Sequence, residues 1–401
     1  MKISNKYLIE GVVFISYVLF AMAWVGGTAS MTQIMASMQV DSLASASFIS
    51  GAVTIAKIAG TFIAAWIALK MGVKYAFFLS GVLVFIGVFT PLAATYDVLL
   101  VSRFLMGLGG ALMIVYFNPI VMRFFSVEER STINGLNAVA FNVGTAVILS
   151  SMSEINAITG SWQNSLIIFS VASLVLSIIW LLADFSEPNK KSVDVANQAN
   201  DIVDAVDVAP PEVYGYRQGF MDKFTWTYSL CYSGLLAFYI CLFTFYPKAG
   251  ISQSALVIGF GIVGTIAGMI YSKKIKQRVP VIKYSGLMVT AMVFVLSFST
   301  NSEAQIVAAM LLGFFVFFPI TALVSIPHEL KGMTADKITV VFSLFWSISY
   351  LVATIVLWLF GKLVDLNMGD YTMSFLLIGL VSSSFFIGSF FLPETNPKKE
   401  Q

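Results

Sequence analysis

Charged side chains are scarce in this chain of 401 residues. Asp, Glu, Lys and Arg make up 11% of it and hydrophobic residues 58%, whereas a soluble domain carries about 25% charged residues. With a mean hydropathy of +0.87, the composition excludes an ordinary water-soluble globule and points to a bilayer protein. Histidine occurs once, as His328, and cysteine twice, as Cys231 and Cys241. Those two cysteines share one apolar segment and would stand about 15 Å apart along a helix, too far to bridge. Neither belongs to a metal-ligand spacing. Acid–base, nucleophilic and metal chemistry are thus poorly supplied, an enzyme is not expected, and no cofactor is implied. A net charge of +2 with no basic patch gives no reason to expect a nucleic acid partner.

What the chain has instead is long apolar runs. Twelve can be counted: 8–29, 46–69, 75–95, 98–121, 133–152 and 162–183, then 224–246, 254–271, 284–298, 304–326, 338–364 and 371–392. Most match the length needed to cross the hydrocarbon as a helix. The one long polar stretch, 184–223, contains Lys190, Lys191, Asp194, Asp201, Asp204, Asp207 and the pair Pro210-Pro211. It reads as a solvated linker between an N-terminal unit, 1–183, and a C-terminal unit, 224–401. With both termini in the cytoplasm, 19 of the 23 lysines and arginines fall in inner loops and tails, a strong positive-inside bias. The halves echo each other at one offset: Lys70 with Lys276, Gly107 with Gly313, and Glu187-Pro188 with Pro393-Glu394. A duplicated six-helix unit of this kind packs about an axis along the membrane normal, with a solute site between the repeats.

Four motifs carry a resemblance to the major facilitator superfamily over nearly the whole chain. Arg103-Phe-Leu-Met-Gly107-Leu-Gly109-Gly110 resembles the arginine–glycine motif of the fourth helix. Leu69-Lys70-Met-Gly72-Val-Lys74 resembles the basic loop between helices two and three, although Ala65 and Leu69 stand where the family usually has glycine and aspartate. Gly160-Ser-Trp162-Gln is similar to the start of helix six, with glutamine for arginine, and Leu392-Pro393-Glu394-Thr395 to the close of helix twelve. The resemblance implies an all-α membrane fold of two six-helix bundles related by a pseudo-two-fold axis, and transport of a small molecule by alternating access. Lys70, Gly72, Lys74, Gly107 and Gly110 would then serve conformational change.

Two cations stand inside the apolar runs. Lys57 lies near the middle of the second, where a charge costs most, and Ser47, Ser50, Thr54, Lys57 and Thr61 share one helical stripe. That stripe faces either an internal cavity or a helix contact with Lys57 bonded to carbonyls. Arg103, about five residues into the fourth run, faces a partner or cavity, snorkels to the interface, or spends its donors on Asn118, Asn142 and helix carbonyls. None of the 21 acidic residues lies near the middle of a run. Glu10 comes closest and is expected at the cytoplasmic interface. Two cations without carboxylates suggest that the substrate brings the negative charge.

The second half offers aromatics: Tyr228, Tyr232, Tyr239 and Tyr246 along the seventh run, and Ser343, Trp346, Tyr350 and Thr354 along the eleventh. Such stripes either pack or line a cavity that satisfies their polar tips. Asn118-Pro119, Asn134, Asn137 and Asn142 add amides to runs four and five, and Arg123, Glu128, Glu129 and Arg130 form either an inner gate or a plain solvated loop. The residues expected to bind substrate are Lys57, Arg103, Thr54, Asn118, Asn142, Tyr232, Tyr239, Trp346 and Tyr350. The expected protein is a monomeric carrier of a small organic anion or amphiphilic metabolite in a bacterial inner membrane. Two rivals stay open: a proton-coupled drug or metabolite exporter, and a membrane sensor that keeps the fold without transport. Lys57 could itself carry the coupling proton, or could stay charged in a uniporter or exchanger.

Overall fold

The computed structural model describes residues 3–185 and 214–395. Most of the expected linker, with its acids, Lys190, Lys191, Glu187-Pro188 and Pro210-Pro211, lies outside the described residues. The rest is helical: α1 (Lys6–Ala29), α2 (Phe48–Phe85), α3 (Tyr96–Phe124), α4 (Val127–Thr159), α5 (Trp162–Leu181), α6 (Lys223–Phe245), α7 (Ser254–Ser272), α8 (Val279–Phe298), α9 (Ser302–Glu329), α10 (Ala335–Leu366) and α11 (Thr372–Ser389). The helical run around α2, Leu43–Phe89, spans 47 residues, roughly 70 Å at 1.5 Å per residue and more than twice the hydrocarbon thickness. It breaks at Gly72, whose backbone sits at φ 73° and ψ 156°. Only glycine adopts that conformation at little cost, so the second and third apolar runs are two limbs of α2 folded back at this point.

The first half is α1 to α5 and the second α6 to α11, six passes each. Within the first, the limbs of α2 pack closely on α3, and α1 on α4 and α5. Small residues set these approaches, since a Cβ on Gly107 would lie 2.8 Å from the Val53 backbone and one on Gly110 would lie 2.1 Å from the Phe20 ring. Across the halves the main contacts are α2 with α10 and α4 with α7.

The termini of these passes are tied by residues the sequence placed in inner loops. Ile3 pairs with Ala183, Lys74 donates to the Ala183 carbonyl at 2.7 Å, the Trp180 indole to the Lys74 carbonyl at 2.8 Å, and Arg123 to the Phe185 carbonyl. The start of the chain, the Gly72 turn and the end of the sixth pass thus share one side. In the second half Glu394 caps the start of α8 through the backbone N–H groups of Arg278 and Val279, at 2.8 and 3.1 Å. Arg278 pairs with Glu329 at 2.6 Å.

Candidate functional site: a cavity between the halves

At mid-depth both halves contribute to one cavity of about 120 Å3. Tyr17 and Trp24 of α1, Lys57 of α2, and Phe141 and Asn142 of α4 form one wall. Tyr232 and Tyr239 of α6, Phe317 of α9, and Trp346 and Tyr350 of α10 form the other. Six of the nine expected binding residues (Lys57, Asn142, Tyr232, Tyr239, Trp346 and Tyr350) therefore meet here.

Lys57 holds the only charge in the lining. It is 3% exposed, and its Nζ donates weakly to the Tyr17 hydroxyl at 3.5 Å. Around the ammonium stand the rings of Phe20 at 5.2 Å, Trp24 at 5.4 Å, Tyr350 at 5.4 Å, Tyr17 at 5.8 Å and Phe141 at 6.0 Å to the centroids. Ring faces attract a desolvated cation, at about 2 kcal/mol for a good contact, which keeps it within the cavity. They offer no counter-charge. Opposite, the Tyr239 hydroxyl donates to Asn142 Oδ1 at 2.8 Å, joining the halves across the cavity, and Asn142 Nδ2 has no partner among the described residues. Tyr232 meets Trp346 edge-on at 5.7 Å, and Trp346 stacks on Tyr350 at 6.0 Å. The result is an apolar, aromatic chamber with one ammonium, one free amide N–H2 and several phenols.

The polar stripe of α2 faces the other half. Thr54 shares a hydrogen bond with Thr354 at 2.6 Å and Thr61 with Ser347 at 3.0 Å, while Ser50 accepts from the Trp24 indole at 2.9 Å. Thr54 itself stands in this seam between the halves and does not line the cavity.

Arg103 does not line the cavity either. It is fully buried and gives Nε to the Ile49 carbonyl at 2.9 Å, Nη1 to Ala23 at 2.9 Å and Nη2 to Trp24 at 2.8 Å. Of the readings open in the sequence, bonding to helix carbonyls describes the geometry, and neither Asn118 nor Asn142 is its partner. The guanidinium ties α1, α2 and α3 together. Asn118 is exposed and accepts from Asn134 at 3.4 Å, away from the cavity. Tyr228 bonds the Leu323 carbonyl at 3.1 Å and Tyr246 pairs with Ser297 at 2.7 Å, so the ends of the α6 tyrosine stripe are packing and its middle is cavity.

Other expected positions fall outside the chamber. Lys70 lies over the Trp66 ring at 4.3 Å. Glu129 pairs with Lys6 at 2.6 Å and Arg130 with the Phe125 and Met122 carbonyls at 3.2 and 3.0 Å, all within the first half, so these bonds join no two halves. Glu10 is 3% exposed, buried among its neighbours rather than open to solvent. Of the wall residues named above, Tyr17, Trp24, Phe141 and Phe317 were missed, although Tyr17, Phe20 and Trp24 recur at helical spacing on α1.

Away from the cavity, Asp365 at the end of α10 also joins the two halves. Its carboxylate accepts from the Leu43 and Ala44 backbone N–H groups at 2.8 and 2.9 Å and from the Ser42 hydroxyl at 2.9 Å, capping the short helix Leu43–Ala46. A central chamber lined by both of two six-helix bundles is the architecture of a polytopic membrane carrier. The family model of the major facilitator superfamily matches residues 13–354, and the chain belongs to that superfamily.

Among solved structures, the xylose transporter XylE of E. coli in a partially occluded inward open conformation superposes with a TM-score of 0.77 at 13% identity, covering 98% of this chain and 99% of that one. Its inward open form gives 0.73 at 15% identity, with 98% of each chain covered. The E. coli fucose:proton symporter FucP gives 0.60 at 15% identity, covering 96% of this chain and 99% of that one. At such identities the likeness is one of fold. Among curated proteins, an uncharacterized protein of Campylobacter jejuni is 28% identical over 239 residues, 60% of this chain and 69% of its own. An uncharacterized protein of Mesomycoplasma hyopneumoniae is 22% identical over 400 residues, 86% and 80%. The chain is thus a multi-pass membrane protein with a transporter fold built to act on small molecules.

Proposed function

We propose that this carrier moves a small organic anion with an apolar body by alternating access, the anion pairing with Lys57 while its body packs on Tyr232, Tyr239, Trp346 and Tyr350. One observation carries the reading: a single unpaired ammonium in an aromatic chamber that contains no carboxylate. An intramembrane charge without a partner is costly, and a bound anion supplies the partner. Arg103, held by three helix carbonyls and absent from the lining, supports the fold and leaves one cation for the substrate. A neutral sugar, as the names of XylE and FucP would suggest, stacks well on rings but leaves the ammonium uncompensated. We place the carrier in a bacterial inner membrane as a monomer, both termini cytoplasmic, with units 1–183 and 224–401 joined by a linker over 184–223.

The test is a thermal-shift screen of the purified chain against small carboxylates, phosphorylated metabolites and xylose. A ligand at a hundred times its Kd adds about 2.7 kcal/mol to the folded state. Stabilisation by an anion, lost in Lys57→Ala at unchanged monodispersity and poorly restored in Lys57→Arg because guanidinium geometry differs, supports the reading. Stabilisation by xylose alone, or equal anion binding in Lys57→Ala, overturns it.

A further inference from the structure

The polar groups of the cavity are lopsided toward donors. Lys57 carries three N–H groups, and among the described residues its hydrogen bonding amounts to the weak contact with the Tyr17 hydroxyl at 3.5 Å. Asn142, buried on α4, has its Oδ1 occupied by the Tyr239 hydroxyl at 2.8 Å, while its Nδ2 has no partner among the described residues. Buried polar atoms are almost always paired, so this amide is half satisfied, and what it lacks is an acceptor. The phenols of Tyr17, Tyr232 and Tyr350 and the indole of Trp346 bring further O–H and N–H groups to the lining, and no carboxylate is among the lining residues.

The rings restrict where a negative group can stand. Five of them surround the ammonium at 5.2 to 6.0 Å. An aromatic face is the negative side of the ring quadrupole, so the faces that hold a cation repel an anion laid against them. A negative head therefore reaches Lys57 past the polar edge of this ring cluster. That edge is formed by the Tyr17 hydroxyl and by Asn142, which follows Phe141 on α4. A carboxylate suits it, because its two coplanar oxygens accept from two separate donors and need none in return.

Charge then sorts the candidates. Lys57 is the only charged residue in the lining, so one negative charge balances it. A phosphate monoester or a dicarboxylate carries about two at neutral pH and leaves the second against ring faces, with no cation to meet it. An amino acid brings an ammonium of its own into a lining without a carboxylate, beside a like charge. A sugar offers hydroxyls that need acceptors as well as donors, and leaves the ammonium without a counter-charge.

We infer that the chamber selects a monocarboxylate, one oxygen of its head accepting from Lys57 Nζ and the other from Asn142 Nδ2. Tyr239 is the positioning residue. Its hydroxyl occupies Asn142 Oδ1 and so fixes which end of the amide is left for the ligand. Because Tyr239 belongs to the second half and Asn142 to the first, the second donor is oriented only while the halves meet across the cavity. This inference rests on the reading of Lys57 as the partner of an anion and narrows that reading to one charge and one head group.

The test uses four probes of one carbon count and different charge: butyrate, succinate, 2-aminobutyrate and the neutral butyramide. An apolar cavity of roughly 150 Å3 takes up benzene, so probes of this size suit a chamber of about 120 Å3. Dissociation constants come from thermal-shift titrations of the purified full chain. Butyrate should bind about tenfold or more tightly than each of the others, and Asn142→Ala should weaken it about tenfold, as expected for a hydrogen bond to a charged group. Tyr239→Phe frees the amide to turn its Oδ1 to the ligand, so butyrate should weaken while butyramide strengthens and their ratio collapses several-fold. A packing role for Tyr239 would weaken both alike, and this ratio still decides the matter if Asn142→Ala does not fold. Succinate binding as tightly as butyrate, unchanged butyrate affinity in Asn142→Ala, an unchanged ratio in Tyr239→Phe, or binding of a phosphorylated metabolite in place of all four overturns the inference. If those ligands are still lost in Lys57→Ala, the anion reading stands without it. Butyrate binding undiminished in Lys57→Ala overturns both.

Discussion

Replacing Arg103 by lysine separates a latch from a binding residue. The guanidinium makes three bonds of 2.8 to 2.9 Å to carbonyls on two other helices. An ammonium on a shorter stem reaches at best one of them, so two are lost. Interhelical hydrogen bonds in membranes average about 0.6 kcal/mol and reach about 1.7. A charged donor in a fully buried site belongs at the upper figure, so Arg103→Lys should destabilise the protein by about 3 kcal/mol in a denaturant titration. Gly27 supplies an internal check, since a Cβ there would lie 2.4 Å from Nη1. Gly27→Ala should displace the same guanidinium, and the double variant should lose clearly less than the sum of the singles because both act on one set of bonds. Anion affinity, measured on the fraction that stays folded, should remain within a few-fold of wild type. Stability within about 1 kcal/mol of wild type together with lost affinity would refute the latch and return Arg103 to the substrate.

Two further outcomes are expected. Asp365→Asn keeps the size of the side chain but turns one acceptor oxygen into a donor, so at least one of the bonds from Ser42, Leu43 and Ala44 is lost; with native Cys231 and Cys241 buried, a cysteine at Ala44 should then react several-fold faster with a membrane-impermeant maleimide, and unchanged labelling would show that this cap does not hold the halves together. If Lys57 stays charged throughout the cycle, uptake moves no proton, and proteoliposomes loaded with a pH-sensitive dye should stay silent while substrate enters. Substrate-driven proton movement that disappears in Lys57→Arg, where the charge cannot be lost, would make Lys57 itself the proton carrier.

The fold was legible because its signals are long and physical: apolar runs of bilayer length, a positive-inside bias and a repeat at constant offset each integrate over many residues. The turn at Gly72 was legible for another reason, since a positive φ demands glycine and two lysines flank it. Lys57 was found because a charge in a span has few places to go. Arg103 raised the same alarm, and sequence left its answer open. A guanidinium with five donors can be satisfied by the carbonyls of neighbouring helices, and carbonyls carry no sequence signature. An ammonium ringed by aromatics cannot be satisfied in that way. This difference in donor geometry, which only the packed helices display, sends one cation into the scaffold and leaves the other facing the cavity. The aromatic half of the site was half visible, because a tyrosine stripe on α6 does not say which of its members meet a chamber and which meet a neighbouring helix. Glu10 shows the same limit from the other side: an acid one turn inside a span is expected to reach back to water, yet its side chain is buried. Sequence does not say that α4 packs along α1 and so closes off the path by which a short side chain would reach solvent.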